Sequence, residues 1–141
     1  MVKYEMAVEM RSEHAKTITV MGSLIMDMFA HVERFPCDGE TVLSVGSGSA
    51  PGGKGINQAV AAARQGAKVR MLGAVGSDAD GRFFLNTLEK ECIDATGVIV
   101  RENSSTGKSM IMLDERAENR IVVIPGANHL YEPADLCAAA G

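Results

Sequence analysis

Cysteine is scarce in this chain and badly placed for chemistry. Cys37, Cys92 and Cys137 are odd in number, far apart and without a C-x-x-C pair. That argues against a disulfide framework or a zinc site and reads as reduced intracellular thiols. His14, His31 and His129 are equally scattered, so no metal constellation is expected. Long apolar runs are missing too. Met1 to Lys16 interleaves apolar residues with Lys3, Glu5, Glu9, Arg11 and Glu13, unlike the unbroken core of a signal peptide. Ile18 to Ala30 is too short to cross a bilayer and is broken by Asp27. A net charge of −4 disfavours nucleic acid and anionic membrane as partners. No internal repeat or low-complexity tract is present. A composition 46% hydrophobic and 23% charged over 141 residues fits one modest soluble domain, expected in the cytoplasm.

The strongest signal that is present runs from Pro51 to Gln65. Gly52, Gly53 and Gly55 crowd a turn around Lys54, and the Ala-rich stretch Ile56 to Arg64 follows with the composition of a good helix former. Gly66 stands where a helix C-terminal cap is expected. A Gly-rich turn opening a helix leaves backbone N–H groups pointing outward with the helix dipole behind them. Lys54, Asn57 and the bare glycine backbone then suit a small polar ligand. The competing reading is a tight strand-to-helix connection, in which glycine serves only a positive φ. A nucleotide P-loop is rejected: Gly48 to Lys54 fits Gly-x-x-x-x-Gly-Lys, but Gly55 stands where Ser or Thr must hold magnesium. Thr106 to Ser109 has the right ending but Glu102 in place of the first glycine. No Gly-x-Gly-x-x-Gly fingerprint occurs.

Taken in order, Thr17 to Met21 reads as a buried strand of a parallel sheet, ending at Gly22-Ser23. Asp27 is the only charge between Lys16 and Glu33. It either caps a turn or meets a ligand at the carboxyl end of the strand. Thr41 to Val45 reads as a short strand and Gly46 to Ala50 as flexible. Lys68 to Ala74 reads as a second buried strand, and Asp78 to Gly81 starts a helix continuing over Arg82 to Cys92, with Phe83, Leu85 and Leu88 in the core. This β-α-β-α grammar predicts a three-layer α/β sheet. Gly97 to Val100, Ser109 to Leu113 and Arg120 to Ile124 read as an antiparallel meander, with Ser109 and Ile111 on one face and Met110 and Met112 on the other. A helix begins near Glu132.

These blocks resemble the ribokinase-like (PfkB) family of carbohydrate kinases, and only its N-terminal portion. The resemblance rests on Gly22-Ser23 with Asp27, on Pro36 to Thr41, on Gly52 to Ala59 and on Gly73 to Gly81. Thr106-Gly107 and Glu118-Asn119 leading to Pro125–Asn128 add weaker matches. It covers about Thr17 to Leu136. It implies an incomplete Rossmann-like sheet over 17–141, a small antiparallel β lid from segments near 27–50 and 97–124, and an extension over 1–16. The family phosphorylates a sugar hydroxyl with ATP and Mg²⁺. The resemblance places Asp27, Gly53, Lys54 and Asn57 on the sugar, with Ser109, Ile111 and Val123 above it, and implies a homodimer through the lid. One departure is Ile25, where the family commonly carries Asn.

The family's Gly-Ala-Gly-Asp block, which supplies the general base and the anion hole, does not occur in this sequence. Its nucleotide pocket belongs to the same C-terminal half. Phosphoryl transfer depends on positioning and electrostatic stabilisation, so the chain is expected to be inactive alone, with no catalytic residue of its own. It then reads as part of a kinase, such as a truncated product or one half of a split enzyme. The alternative is a non-catalytic sugar-binding or dimerisation module.

Overall fold

A computed structural model describes residues 16–140; the expected extension over 1–16 lies, but for Lys16, outside the described residues. The elements run β1 (Ile18–Met21), β2 (Ile25–His31), β3 (Gly46–Gly52), α1 (Lys54–Arg64), β4 (Val69–Gly76), α2 (Ala79–Lys90), β5 (Asp94–Arg101), β6 (Gly107–Leu113), β7 (Asn119–Ile124), a 3-10 turn (Gly126–Leu130) and α3 (Pro133–Ala140). They build two sheets. Strands β1, β4 and β5 form a parallel body sheet in the order β1-β4-β5. Helices α1 and α2 pack on it, as parallel strands require of their crossovers.

The core sits between that sheet and the helices, built from Leu24, Ile56, Met71, Val75, Phe84 and Leu88. In α2 the buried residues are Gly81, Phe84 and Leu88, spaced i, i+3 and i+7 on one face. This corrects the expectation for Phe83, which is 44% exposed while Phe84 is fully buried. The helix phase is set by Gly81, where a Cβ would collide with the carbonyl of Gly76. At the end of α1, Gly66 follows the C-cap residue Gln65 with φ 84°, a conformation that suits glycine.

The second sheet has the order β3-β2-β6-β7. Its inner strands β2 and β6 are parallel, and β3 and β7 flank them antiparallel. The sheet is therefore mixed, not a simple meander. Residues 97–100 do not belong to it; they lie in β5, parallel to β4. Their continuous apolar run is buried at Val98 against the core, as strands of parallel sheets are.

The strand expected at 41–45 is irregular, and the stretch expected to be flexible, 46–50, is β3. Glycine serves at 48 because the ring of Phe29 lies over it, where a Cβ would come within 2.6 Å of Cζ. Backbone pairing with β2, from Ile25 opposite Gly52 to His31 opposite Gly46, holds the strand without side chains.

Candidate functional site

Strand β2 is an inner strand, so Asp27 has neighbours on both sides. Across the sheet, Ala50, Asp27, Ser109 and Val123 lie in one row, and Gly48, Phe29, Ile111 and Ile121 form the next row on the same face. Asp27 Oδ1 accepts a hydrogen bond from Ser109 Oγ at 2.5 Å. Ser109 is buried, and this bond satisfies its hydroxyl. Asp27 Oδ2 lies against Gly52, where a Cβ would collide with it. Only glycine leaves room there for the carboxylate. Oδ2 has no protein donor among the described residues, and it remains free to accept from a ligand hydroxyl.

The next residues open α1. Gly53 takes φ 101° and ψ 133°, which glycine adopts without strain. A Cβ there would come within 2.6 Å of Ser23 O and 3.0 Å of Ile25 N. Gly55 presses on Gly22 in the same way: a Cβ on Gly22 would lie 2.8 Å from Gly55 Cα. The glycines thus let the helix start press against the β1–β2 turn. They also leave that start bare. No side chain caps it and no acid lies in its first turn. Ile56 N–H donates to Ser23 O at 3.3 Å and Asn57 N–H to Gly53 O at 3.1 Å, while the Lys54 and Gly55 amides find no acceptor among the described residues.

The structure therefore joins Asp27 to Ser109, sets Gly52–Gly53 beside them, and places Ile111 and Val123 on the same face. Val123 is 54% exposed there. Lys54 and Asn57 are exposed in the first turn of α1. Neither side chain makes a hydrogen bond or ion pair among the described residues, so neither is tied to Asp27. Asn57 instead opens on a groove of about 570 Å³ along α1, lined also by Ile56, Val60, Arg64 and Glu91.

Three further side chains hold the site's surroundings. Asp78 caps α2, accepting from Gly81 N–H at 2.9 Å. It also accepts from Thr106 Oγ at 2.6 Å and from Thr106 N–H at 2.9 Å. Thr106 Oγ in turn accepts from Gly76 N–H at 3.0 Å. Burial pushes the Asp78 carboxyl up, but these donors and the charge of Lys108 together hold it below the ordinary carboxylate value. The third is Asn128, whose Oδ1 accepts from Leu24 N–H at 2.9 Å and whose Nδ2 donates to Leu24 O at 2.9 Å. Sequence reading used Asp78, Thr106 and Asn128 as motif members without giving them partners. Their place within recurring blocks was the available signal.

A bare, glycine-lined helix start beside a carboxylate–hydroxyl pair, on a small sheet set off from an α/β body, matches the block order seen in the sequence. The model of the pfkB family carbohydrate kinases matches residues 15–140. The chain belongs to this family. It is 43% identical over 118 residues to a ribokinase of Haemophilus influenzae, covering 83% of this chain and 39% of that protein. Among solved structures, a ribokinase of Cryptococcus neoformans in complex with ADP shares 36% identity at a TM-score of 0.71, over 84% of this chain and 36% of that one. An Arabidopsis thaliana ribokinase complexed with ribose and ATP shares 31% identity at a TM-score of 0.71, over 81% and 37%. The pfkB-family chain thus spans about two-fifths of the length of the curated relatives it matches.

Proposed function

We propose that residues 17–141 form the sugar-binding, lid-bearing N-terminal part of a carbohydrate kinase that phosphorylates a pentose such as ribose. The observation that carries this reading is Asp27, held by Ser109 and set against Gly52, beside the uncapped start of α1. Asp27 Oδ2 accepts ring hydroxyls, and Ser109 fixes the carboxylate's orientation. The Gly53–Gly55 backbone and Lys54 and Asn57 supply donors from the helix end, and Ile111 and Val123 cover the apolar face of the ring. The Arabidopsis relative, complexed with ribose and ATP, supports pentose and nucleotide as the substrates.

ATP, with Mg²⁺, supplies the transferred phosphoryl group when bound. This reading places its site outside the present chain, because the family's Gly-Ala-Gly-Asp block does not occur in the sequence and both P-loop matches are incomplete. No catalytic step is assigned to this chain, which in this reading is inactive alone. Among the described residues its sheet is open along β1, where Met21 is 60% exposed, a surface suited to the rest of a kinase. The lid face opposite Asp27 carries Met28, Met110 and Val122 around a groove of about 710 Å³, and all three are exposed. A homodimer through this face covers them.

Titration calorimetry with ribose on the purified chain tests the site. Wild type is expected to bind saturably, and Asp27→Ala to lose ten- to hundredfold in affinity, roughly what one charge-assisted hydrogen bond is worth. Equal affinities sink the assignment. Mixing the chain with the C-terminal half of a family kinase separates the two wider readings: restored phosphorylation marks a split enzyme, and binding without turnover marks a sugar-binding module.

A further inference from the structure

The two strands that carry the Asp27–Ser109 pair enter the second sheet beside one short segment, Gly126–Asn128. Ala127 N–H donates to Ser105 O at 2.8 Å, two residues before β6 begins. Asn128 does the corresponding work for β2. Its Oδ1 accepts from Leu24 N–H and its Nδ2 donates to Leu24 O, both at 2.9 Å, and Nδ2 also donates to Pro125 O at 3.0 Å. The side-chain amide thus pairs with Leu24 as a neighbouring strand would, one residue before β2 starts. Leu24 and Ala127 are fully buried. Space for this contact is made by Gly107, where a Cβ would collide with Asn128 Nδ2 and lie 3.1 Å from Leu24 O.

Asp27 stands three residues beyond Leu24, and Ser109 three beyond Thr106, about 10 Å along each strand. The pairing sets Ile25 opposite Gly107 and so Asp27 opposite Ser109. A slip of one residue turns a side chain to the other face of the sheet. The same segment begins three residues after Val123, just past the end of β7. One clamp therefore fixes the roots of the strands that bear Asp27, Ser109 and Val123.

We infer that Asn128 is the positioning residue of the sugar site: it touches no sugar, and it sets the register and height of the Asp27–Ser109 pair through Leu24. This rests on the sugar-site reading above. The test uses the 141-residue chain, Asn128→Ala and the donor-less isostere Asn128→Asp, with ribose calorimetry and residue-resolved amide exchange. Both variants are expected to bind ribose at least tenfold more weakly. Amides of Leu24, Asp27 and Ser109 are expected to exchange at least tenfold faster, with Met71 and Val75 in β4 unchanged. Wild-type affinity in a folded Asn128→Ala overturns the inference. So does exchange that quickens equally in β4, or collapse of both variants, since Asn128 then holds the whole fold. If the wild-type chain takes no ribose, the sugar reading falls separately. Exchange alone then decides: faster exchange confined to Leu24, Asp27 and Ser109 supports the clamp, and unchanged exchange overturns it.

Discussion

Strands β4 and β7 are opposite in fate. Val69–Gly76 is buried at every position but Arg70, whereas Asn119–Ile124 is exposed at every position. Four of the six residues of β7 are β-branched but only two of the eight in β4, so strand propensity alone would favour the exposed strand. What separates them is the layer outside: α1 and α2 cover the body sheet, and β7 is the outer strand of the second. Propensity chooses the strand; packing decides what the strand contributes. The body draws its stability from burial, while the second sheet depends on backbone pairing and on the contacts at its roots.

The sharpest way to test that division is to empty a site in each region. Phe84→Ala removes a fully buried ring from the core and is expected to cost about 3–5 kcal/mol, read by denaturant unfolding. Val122→Ala, at a position 62% exposed, is expected to stay within about 0.5 kcal/mol in the monomer. Comparable losses from the two would mean that the second sheet buries its outer face in solution.

A smaller effect on folding, but a specific one on binding, is expected at the boundary between the two regions. Gly52→Ala places a Cβ against Asp27 Oδ2. The carboxylate must then swing away from Ser109, at about 1–3 kcal/mol of overpacking. Ribose affinity is expected to fall tenfold or more by calorimetry. An unchanged affinity would show that the carboxylate's present position is not the one that binds.

How much of this the sequence revealed follows the same division. The Gly52–Asn57 block was legible because a glycine turn and an Ala-rich helix are local features, and Asp27 because a lone charge in an apolar stretch needs a partner. The shared face of Ser109 and Ile111 followed from alternation alone. Strand β3 was not legible, because Gly-Ser-Gly-Ser has no strand propensity and is held by β2. Residues 97–100 were given to the wrong sheet, since a short apolar run does not say which neighbour it will pair with. Asn128 was opaque as a partner because Leu24 lies 104 residues away. Local grammar was readable; pairings across the two sheets were not.

Thr106→Val probes one such pairing. It leaves the volume nearly intact but removes the hydroxyl that donates to Asp78 and accepts from Gly76 N–H. In a fully buried setting a loss of about 1–3 kcal/mol is expected. The Asp78 carboxyl is held below its ordinary value of 3.8. Its contribution is therefore present above pH 3.8 and fades as pH falls through the lower folded value. The variant is expected to show less of this acid loss when unfolding is followed from pH 6 downward. An acid limb as steep as in wild type would assign the effect to other carboxylates.

The smallest effect is expected in the loop between β2 and β3, where everything lies near solvent. Glu40 accepts from Arg34 through two nitrogens, at 2.7 and 2.5 Å, and from Cys37 N–H at 2.9 Å. The hydrogen bond from Arg34 is the main cause, with the Cys37 amide next, of a Glu40 carboxyl lowered from 4.5 to about 2. A depressed carboxyl lends its stability above the unfolded value and loses it as pH falls through the folded one, so the latch weakens between about pH 4.5 and 2. Global unfolding should barely register it, because exposed ion pairs contribute little. The Cys37 amide resonance is expected to titrate across that window in wild type and to stay flat in Glu40→Gln. The loop is also tied to β7, since the Arg120 guanidinium lies 4.3 Å from the centroid of the Phe35 ring. A Cys37 resonance that does not move with pH in wild type would leave that contact, and not Glu40, as what holds the loop.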